Sequence, residues 1–352
     1  MNKNAIAGLQ LSLYWEPHHS RIGKMEYKRQ ERRVLGIART ASTRTMTNTK
    51  MFALPQTSGD FFEQVHRKCQ TLIELGIWDI DRARFSGWLN QFVTDEERFF
   101  AACVLDCLMY RSRDQFTASL RSLVRGQLRQ ALPKLQPAHD GAVELLLADG
   151  IGSKVCLCPA IDREAPPTKS GPFILRRLKK ALNASTDIMH WPWKANAEIK
   201  AGKVNTVILV DDFLGTGTQV NDFLAAEFGP LDPNVHWIYA PVVAHDTGIA
   251  YLATKQPHLR VVCAERLGPD HGFFNDDYWK LVSNGTILGQ DAKAFYEEFL
   301  HRRKLTASGD FGFAPFGFGG LSLCFGFEHG TPDNSLPLLW GRADGWQPLL
   351  DR

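Results

Sequence analysis

The sequence predicts an α/β protein in which a parallel sheet carries helices on both faces, preceded by a helical domain and followed by a cap. After Gly150, short apolar runs alternate with helical segments, a pattern typical of parallel sheets. Before Gly150, apolar residues recur at helical spacing. The tail from Gly309 is rich in Gly, Phe and Pro, as in a cap of loops and strands. We therefore divide the chain into a leader (1–50), a helical domain (51–150), an α/β core (151–305) and a C-terminal cap (306–352).

The leader is basic, whereas the 352-residue chain has a formal net charge of only +3. Between Arg21 and Lys50 there are nine Lys or Arg residues against two acids. Because residues 40–49 are rich in Thr and Ser without an apolar period, a disordered tail is the favoured interpretation. A nucleic-acid-binding arm and a translation start at Met25 or Met51 are the alternatives. The rest of the chain is slightly acidic, which argues against nucleic acid as the main partner.

Three long helices are predicted in the helical domain. The first begins at Ser58, and its apolar face is formed by Phe61, Phe62, Val65, Cys69, Leu72 and Ile73. The second begins at a capping box between Thr94 and Glu97. The third covers residues 116–135 and ends near Pro133. The aromatic side chains of this region are interpreted as its core rather than as a binding platform; they are Trp78, Phe85, Trp88 and Phe92.

The cysteines and the hydropathy indicate a cytoplasmic protein. The seven cysteines form no Cys-x-x-Cys pair and resemble small buried apolar residues in a reducing compartment, so zinc is not expected. Residues 9–15 are too short and lack the cleavage site of a secretory signal. No run of about 18 apolar residues occurs, so no membrane span is predicted.

The α/β core is predicted from alternating strands and helices. The strands cover residues 155–158, 206–210, 236–243 and 259–264, and the helices cover residues 173–182, 218–228 and 291–304. His245 follows one strand and could line a cleft, although a structural role is the favoured interpretation. Arg176 and Arg177 are interpreted as a solvated helix face.

The most informative segment joins the second of these strands to the next helix. The apolar run ending at Val210 is followed by Asp211 and Asp212, and then by a Gly-Thr-Gly-Thr turn at residues 215–218. Ligands of parallel sheets bind at the carboxyl ends of the strands. Glycines allow backbone N–H groups to approach a phosphate, and a helix N-terminus favours an anion.

Two adjacent carboxylates beside a phosphate would repel it unless they bind something else. Ribose hydroxyls, directly or beside a magnesium ion, are the natural partners of Asp211 and Asp212, so the segment predicts a site for a sugar phosphate. An acidic turn without a ligand is the alternative. A Walker P-loop is excluded because no Gly-Lys-Ser or Gly-Lys-Thr occurs.

The segment resembles the phosphoribosyl pyrophosphate motif of type I phosphoribosyltransferases. The resemblance implies that Asp211 and Asp212 hold the ribose hydroxyls, with magnesium, and that Gly215, Thr216, Gly217 and Thr218 hold the 5-phosphate. Type I enzymes usually carry Ser or Thr where this chain has Gln219.

A wider resemblance covers residues 58–352. The segments that carry it are residues 88–92, 97–99, 169–172, 211–219 and 331–340. Together they look like the phosphoribosyltransferase-like family of bacterial conflict systems (PRTase-CE), in which Gln219 belongs to the family's own version of the loop. This resemblance implies a role in antiviral defence or stress response and a protein partner there.

Two further regions are candidates for ligand contact. In type I enzymes the loop after the first core strand contacts pyrophosphate, and the matching residues here are Lys169, Ser170 and Gly171, with a plain helix start as the alternative. In the tail, Asn334, Trp340 and Trp346 could close over an acceptor, although a packed Pro-Leu-Leu-Trp strand is the favoured interpretation.

The function expected from the sequence is phosphoribosyl transfer from phosphoribosyl pyrophosphate with Mg²⁺ to an unknown acceptor. Magnesium would neutralise the leaving pyrophosphate, and Asp211 or Asp212 would stabilise positive charge on the ribose ring. The alternatives are a non-catalytic sensor that binds a nucleotide in the same site, and an effector whose basic leader recruits a partner.

Overall fold

The computed structural model describes residues 53–132, 154–164, 166, 169–307 and 309–352, all within one compact unit that begins at Met51. The basic leader and the predicted helix end near Pro133 lie outside the described residues. The helices in the described part of the chain are each too short or too polar to cross a membrane.

The first three helices are α1 (Ser58–Glu74), α2 (Arg82–Leu89) and α3 (Asp95–Asp106). The predicted cap of α3 is confirmed, because the Thr94 side chain accepts from the backbone N–H of Glu97 at 3.2 Å. The Glu97 carboxylate accepts from the N–H of Val93, one residue before the predicted cap partner. At α1 the N-cap residue is Thr57 rather than Ser58.

A short parallel ribbon follows α3 and was missed by the sequence analysis. Strand β1 (Met109–Arg111) pairs in parallel with β7 (Phe325–Phe327) near the end of the chain. The next helix, α4 (Arg113–Leu123), begins with a complete capping box between Ser112 and Gln115 and continues through a π-turn to Ala131. A strand of three residues has no readable period, which explains why β1 and β7 were not predicted.

The central sheet is entirely parallel. Its strands are β2 (Val155–Pro159), β3 (Thr206–Leu214), β4 (His236–His245), β5 (Leu259–Val261) and β6 (Glu265–Leu267). The order is β2-β3-β4-β5, and β6 pairs with the carboxyl end of β4. The strand predicted over residues 259–264 ends earlier, at Val261, and the separate strand β6 begins at Glu265, beyond the predicted range.

Helices cover both faces of the sheet, as the α/β prediction requires. One face packs against α4 and α5 (Ser170–Leu182), and the other packs against α6 (Pro192–Lys200), α7 (Thr218–Glu227) and α8 (Asp246–Lys255). The alternating residues of β3 divide between the two cores: Ile208 and Val210 lie on the α4–α5 side, and Val207 and Leu209 on the α6–α8 side. This alternation fixes the register, because a slip of one residue would exchange the two faces.

A third core joins α1–α3 to the last part of the chain. Its other elements are α9 (Asp276–Val282), α10 (Gly289–Arg302), α11 (Gly309–Phe313) and α12 (Pro337–Trp340). The predicted aromatic core is confirmed: Trp88 is fully buried, and its indole N–H donates to the carbonyl of Leu338 at 2.9 Å. The Pro-Leu-Leu-Trp segment is a buried helical turn, so the strand predicted there was wrong. The domain boundaries at residues 150 and 305 stay predictions.

Candidate functional site

The two acids of the central motif lie within β3 rather than after it. Strand β3 continues to Leu214, and Asp211 pairs with Pro241 of β4 and Leu214 with Ala244. The sequence analysis ended the strand at Val210, which was wrong. The strand continues because Leu214 is buried in the α6–α8 core and Phe213 packs against the ring of Phe325.

Each carboxylate has its own hydrogen-bond partner from a different part of the fold. The hydroxyl of Tyr239, on β4, donates to Asp211 Oδ2 at 2.9 Å. Nε2 of His329 lies 3.1 Å from Asp212 Oδ2, and Ser170 lies near Asp212 and lowers its pKa. Tyr239 belongs to the α6–α8 core, whereas the rings around His329 belong to the α4–α5 side.

These partners give the two acids opposite pKa shifts. Burial raises the pKa of Asp211 well above its usual range, and the neighbouring Asp212 charge raises it further, with partial opposition from Tyr239. Burial acts on Asp212 in the same direction, but the hydrogen bond and charge of His329, with hydrogen bonds from Asp211 and Ser170, outweigh it and lower the pKa of Asp212. Asp212 is therefore the acid that loses its proton first, and Asp211 keeps its proton to higher pH. While the pair carries a single charge, it repels a nearby phosphate less than two charges would.

His329 is a site residue that the sequence analysis missed. Its ring lies within a cage of Phe116, Phe173 and Phe327, with centroid distances of 4.8, 4.7 and 4.9 Å. The side chain is only 11% exposed. No local pattern could have identified it, because it lies 117 residues after Asp212 in the chain.

The Gly-Thr loop (residues 215–218) joins β3 to α7. Gly217 occupies the N-cap position with φ +83°, a conformation that favours glycine, and a Cβ there would lie 3.1 Å from the carbonyl of Gly248. Glycine has no side chain with which to cap a helix, so the first N–H groups of α7 have no side-chain cap from Gly217, and a helix N-terminus favours an anion. Thr216 and Thr218 add hydroxyls whose oxygens are 3.3 Å apart. Gln219 is exposed in the first turn.

The last part of the chain packs directly on this loop. We call residues 317–334 the C-terminal segment. A Cβ added to Gly215 would overlap the side chain of Asn334, and a Cβ added to Gly319 would overlap the methyl group of Thr216. With His329 on Asp212, the C-terminal segment contacts both the acid pair and the Gly-Thr loop.

The predicted pyrophosphate residues lie at the start of α5. Ser170 reaches Asp212 through its side chain, so the structure brings it together with the acid pair. Gly171 is buried, and a Cβ there would lie 2.9 Å from Cβ of Pro159. Lys169 is exposed at the N-cap of α5. The contacts of these three residues with a ligand stay predictions, as do the ligand contacts of residues 211–219.

The other candidates have structural positions. Nδ1 of His245 accepts from the N–H of Thr247 at 3.1 Å and caps α8, the structural role that was favoured, and His245 also lines a cleft, as the alternative expected. The indole N–H of Trp340 donates to the carbonyl of Ser335 at 3.0 Å. Trp346 packs edge-on against Phe92. Of the tail residues proposed to close over an acceptor, Asn334 is the one that contacts the Gly-Thr loop.

A cleft of about 410 Å³ is lined by residues of β4, α8, α10 and the C-terminal segment. Its lining includes Thr247, Phe274, Gln290, Lys293 and Gly320. Two of these residues are chain neighbours of residues that contact the Gly-Thr loop, since Thr247 precedes Gly248 and Gly320 follows Gly319. The cleft offers aromatic, amide and cationic groups, and Asp211 and Asp212 are not among its lining residues.

Comparison with known proteins identifies a family. The family model PRTase-CE matches residues 85–352, a range that includes the acid pair, the Gly-Thr loop and His329. No curated protein and no solved structure matches the chain.

Proposed function

Because the chain belongs to the PRTase-CE family and is phosphoribosyltransferase-like, we propose that it binds the ribose 5-phosphate part of phosphoribosyl pyrophosphate. The proposed reaction transfers the phosphoribosyl group to an acceptor. Asp211 and Asp212 hold the ribose hydroxyls, and residues 215–219 hold the 5-phosphate. Lys169, Ser170 and Gly171 lie beside the pyrophosphate.

The observation that carries the proposal is the position of the acid pair immediately before a glycine-capped helix N-terminus. Strand β3 ends at Leu214, two residues after Asp212, and Gly217 then occupies the N-cap position of α7. An anion at the N-terminus of α7 and a polyol at the acid pair would be neighbours, which is the arrangement of phosphate and hydroxyls in a sugar phosphate.

Mg²⁺ fits the acid pair only if substrate phosphates and water supply its remaining ligands. Within the described residues, no group of three or more His, Cys, Asp or Glu side chains is arranged to hold a metal. Mg²⁺ is commonly bound through one or two carboxylates together with substrate phosphates and water. The ionised Asp212 supplies a suitable oxygen, so we propose that Mg²⁺ enters with pyrophosphate, whose charge it neutralises.

The chemistry proposed is displacement at C1 of the ribose. The bond from C1 to the pyrophosphate oxygen breaks, pyrophosphate leaves with the electron pair, and a nucleophilic atom of the acceptor forms the new bond to C1. Positive charge develops on the ring during this step, and the negative charge of Asp212 stabilises it. The cleft lined by Phe274 and Lys293 is the proposed place of the acceptor.

A second candidate is a nucleotide sensor without transferase activity. Asp212 already accepts a hydrogen bond from His329, which leaves fewer oxygen lone pairs for a metal. A protein that binds a nucleotide without magnesium–pyrophosphate would fit this arrangement.

The proposal also includes a cytoplasmic location, supported by seven free thiols, and a protein partner in a bacterial defence system.

The first test is calorimetric titration of phosphoribosyl pyrophosphate with Mg²⁺ into the wild type and into the double variant Asp211→Asn/Asp212→Asn. Binding by the wild type that is lost in the folded double variant supports the site. Absence of binding by the folded wild type overturns the transferase proposal. Binding of nucleoside monophosphates together with absence of pyrophosphate release would favour the sensor.

A further inference from the structure

A histidine from the C-terminal segment contacts the acid that carries the negative charge. His329 Nε2 lies 3.1 Å from Asp212 Oδ2. A carboxylate can only accept, so Nε2 must carry a proton in this contact. A hydrogen bond to an ionised acceptor is stronger than one between neutral groups, and it fixes the direction of the acceptor.

Three aromatic rings hold the imidazole in place. They come from three separate elements: Phe116 from α4, Phe173 from α5 and Phe327 from β7. The Phe327 ring is nearly parallel to the imidazole, at an angle of 16°. The cage leaves the imidazole few alternative rotamers, so Nε2 stays directed at Asp212.

Ser170, at the start of α5, is a second side chain near the same carboxylate. The contact with the caged His329 restricts the rotation of Asp212 about its side-chain bonds. A preoriented carboxylate loses less conformational entropy when it accepts from a sugar hydroxyl, so binding is tighter.

Resting on the proposed function, we propose that His329 is a positioning residue of the ribose site. It orients Asp212 toward the sugar hydroxyls and does not itself contact the phosphate. The C-terminal segment is then an integral wall of the site rather than only a cap, because it supplies this contact together with Asn334 on Gly215 and Gly319 on Thr216.

The test compares two ligands and two matched variants in the full-length chain. Ribose 5-phosphate reaches both the loop and the acid pair, whereas inorganic phosphate reaches only the loop. His329→Leu fills the cage without a donor. His329→Gln keeps a donor near the position of Nε2. Binding of each ligand is measured by calorimetry. Where inorganic phosphate gives a weak heat signal, its affinity is measured by competition with ribose 5-phosphate. Thermal unfolding of each variant is recorded.

The expected result separates the sugar from the phosphate. His329→Leu weakens ribose 5-phosphate binding about tenfold, because the ligand must then order an Asp212 side chain that is no longer preoriented. Its affinity for inorganic phosphate stays at the wild-type value, and His329→Gln restores most of the ribose 5-phosphate affinity. In an Asp212→Asn background, His329→Leu has no additional effect.

Other results overturn the inference, and the ligand pair shows which proposal fails. If the wild type binds ribose 5-phosphate and His329→Leu binds it equally well, His329 has no positioning role although the site stands. Equal losses for both ligands, or equal losses in Leu and Gln variants, show a structural role only. If the folded wild type binds neither ligand, the proposed function fails and this inference with it. Should His329→Leu not fold, His329→Asn replaces it, since its shorter side chain cannot reach Asp212.

Discussion

The side-chain amide of Asn334 lies against the backbone of Gly215, at the first position of the Gly-Thr loop. A Cβ atom on Gly215 would overlap all three terminal atoms of Asn334. Asn334 has little room to move, because it is 4% exposed and its Nδ2 donates to the carbonyl of Phe318 at 2.9 Å. The shape of the loop thus depends on the C-terminal segment.

We expect Gly215→Ala to weaken binding of magnesium–phosphoribosyl pyrophosphate by about tenfold. The added methyl group forces either the loop or Asn334 to shift, and overpacking of this kind costs about 1–3 kcal/mol. Calorimetric titration measures the change. Adding Asn334→Ala to the variant removes the overlapping atoms and should restore part of the affinity. Gly126→Ala is the control, since its Cβ would meet no atom within 4 Å. Wild-type affinity in Gly215→Ala would show that the contact does not shape the site.

We expect Tyr239→Phe to weaken the same binding by a factor of about three to ten. The substitution removes the hydroxyl that donates to Asp211 at 2.9 Å, and such a hydrogen bond contributes about 0.5–1.5 kcal/mol. Because that hydroxyl lowers the pKa of Asp211, its loss also raises this pKa further. Tyr110→Phe is the control: its hydroxyl bonds to the carbonyl of Asp79, away from the acid pair. Equal binding by Tyr239→Phe and the wild type would show that the Tyr239 hydrogen bond to Asp211 does not contribute to ligand binding.

Much of this arrangement could be predicted because its signals are local. The apolar run of β3, the acids and the glycines of the loop are contiguous in the sequence, and the cap of α3 lies within four residues. These features follow from hydrogen bonding and steric limits over short distances. The α/β class was predicted from the alternation of strands and helices along the chain.

The parts that could not be predicted depend on contacts between distant residues. His329 and Asn334 reach the site only because β7 pairs with β1 and brings the C-terminal segment across the sheet. Strand β3 extends past Asp212 because of tertiary packing of Phe213 and Leu214, which overrides the turn expected after two acids. The helical turn of Pro337–Trp340 is likewise set by burial, since four apolar residues fit a strand equally well.

Glu97 joins α3 to α10 and should matter for stability rather than binding. It is 2% exposed and lies 2.9 Å from Arg303 and 3.3 Å from Arg302. Burial would raise its pKa, but hydrogen bonds from Val93 and Arg303 and the two arginine charges together lower it. We expect Glu97→Gln to reduce the free energy of unfolding by about 1–3 kcal/mol, because it removes the buried charge that the partly exposed Arg302 and Arg303 contact.

The pH dependence of unfolding gives a second readout for Glu97. Since its folded pKa is lowered, its contribution is fully present above the unfolded pKa of about 4.3 and is lost as the pH falls through the folded value. Urea unfolding at pH 7 and at pH 3.5 should therefore show a larger difference between wild type and variant at pH 7. Glu298→Gln is the control, because Glu298 is a half-exposed partner of Arg302 at 3.8 Å and such pairs contribute little. If the difference in free energy of unfolding between the wild type and Glu97→Gln is as large at pH 3.5 as at pH 7, this account is wrong.

The two acids of the site should respond differently to the same substitution. Burial and the Asp212 charge raise the pKa of Asp211 well above its usual range, so Asp211→Asn, which places a neutral group of similar size there, should be tolerated. Its free energy of unfolding at pH 7 should stay within about 1 kcal/mol of the wild type. Asp212→Asn removes the charge that His329 and Ser170 contact, and it should cost about 1–3 kcal/mol.

Urea unfolding of both single variants at pH 7 without ligand measures this difference, with the double variant testing whether the effects add. The carboxyl groups are neighbours, so their substitutions should not be additive. Greater destabilisation by Asp211→Asn than by Asp212→Asn would place the negative charge on Asp211 instead. The His329 contact would then have to be explained by shape alone.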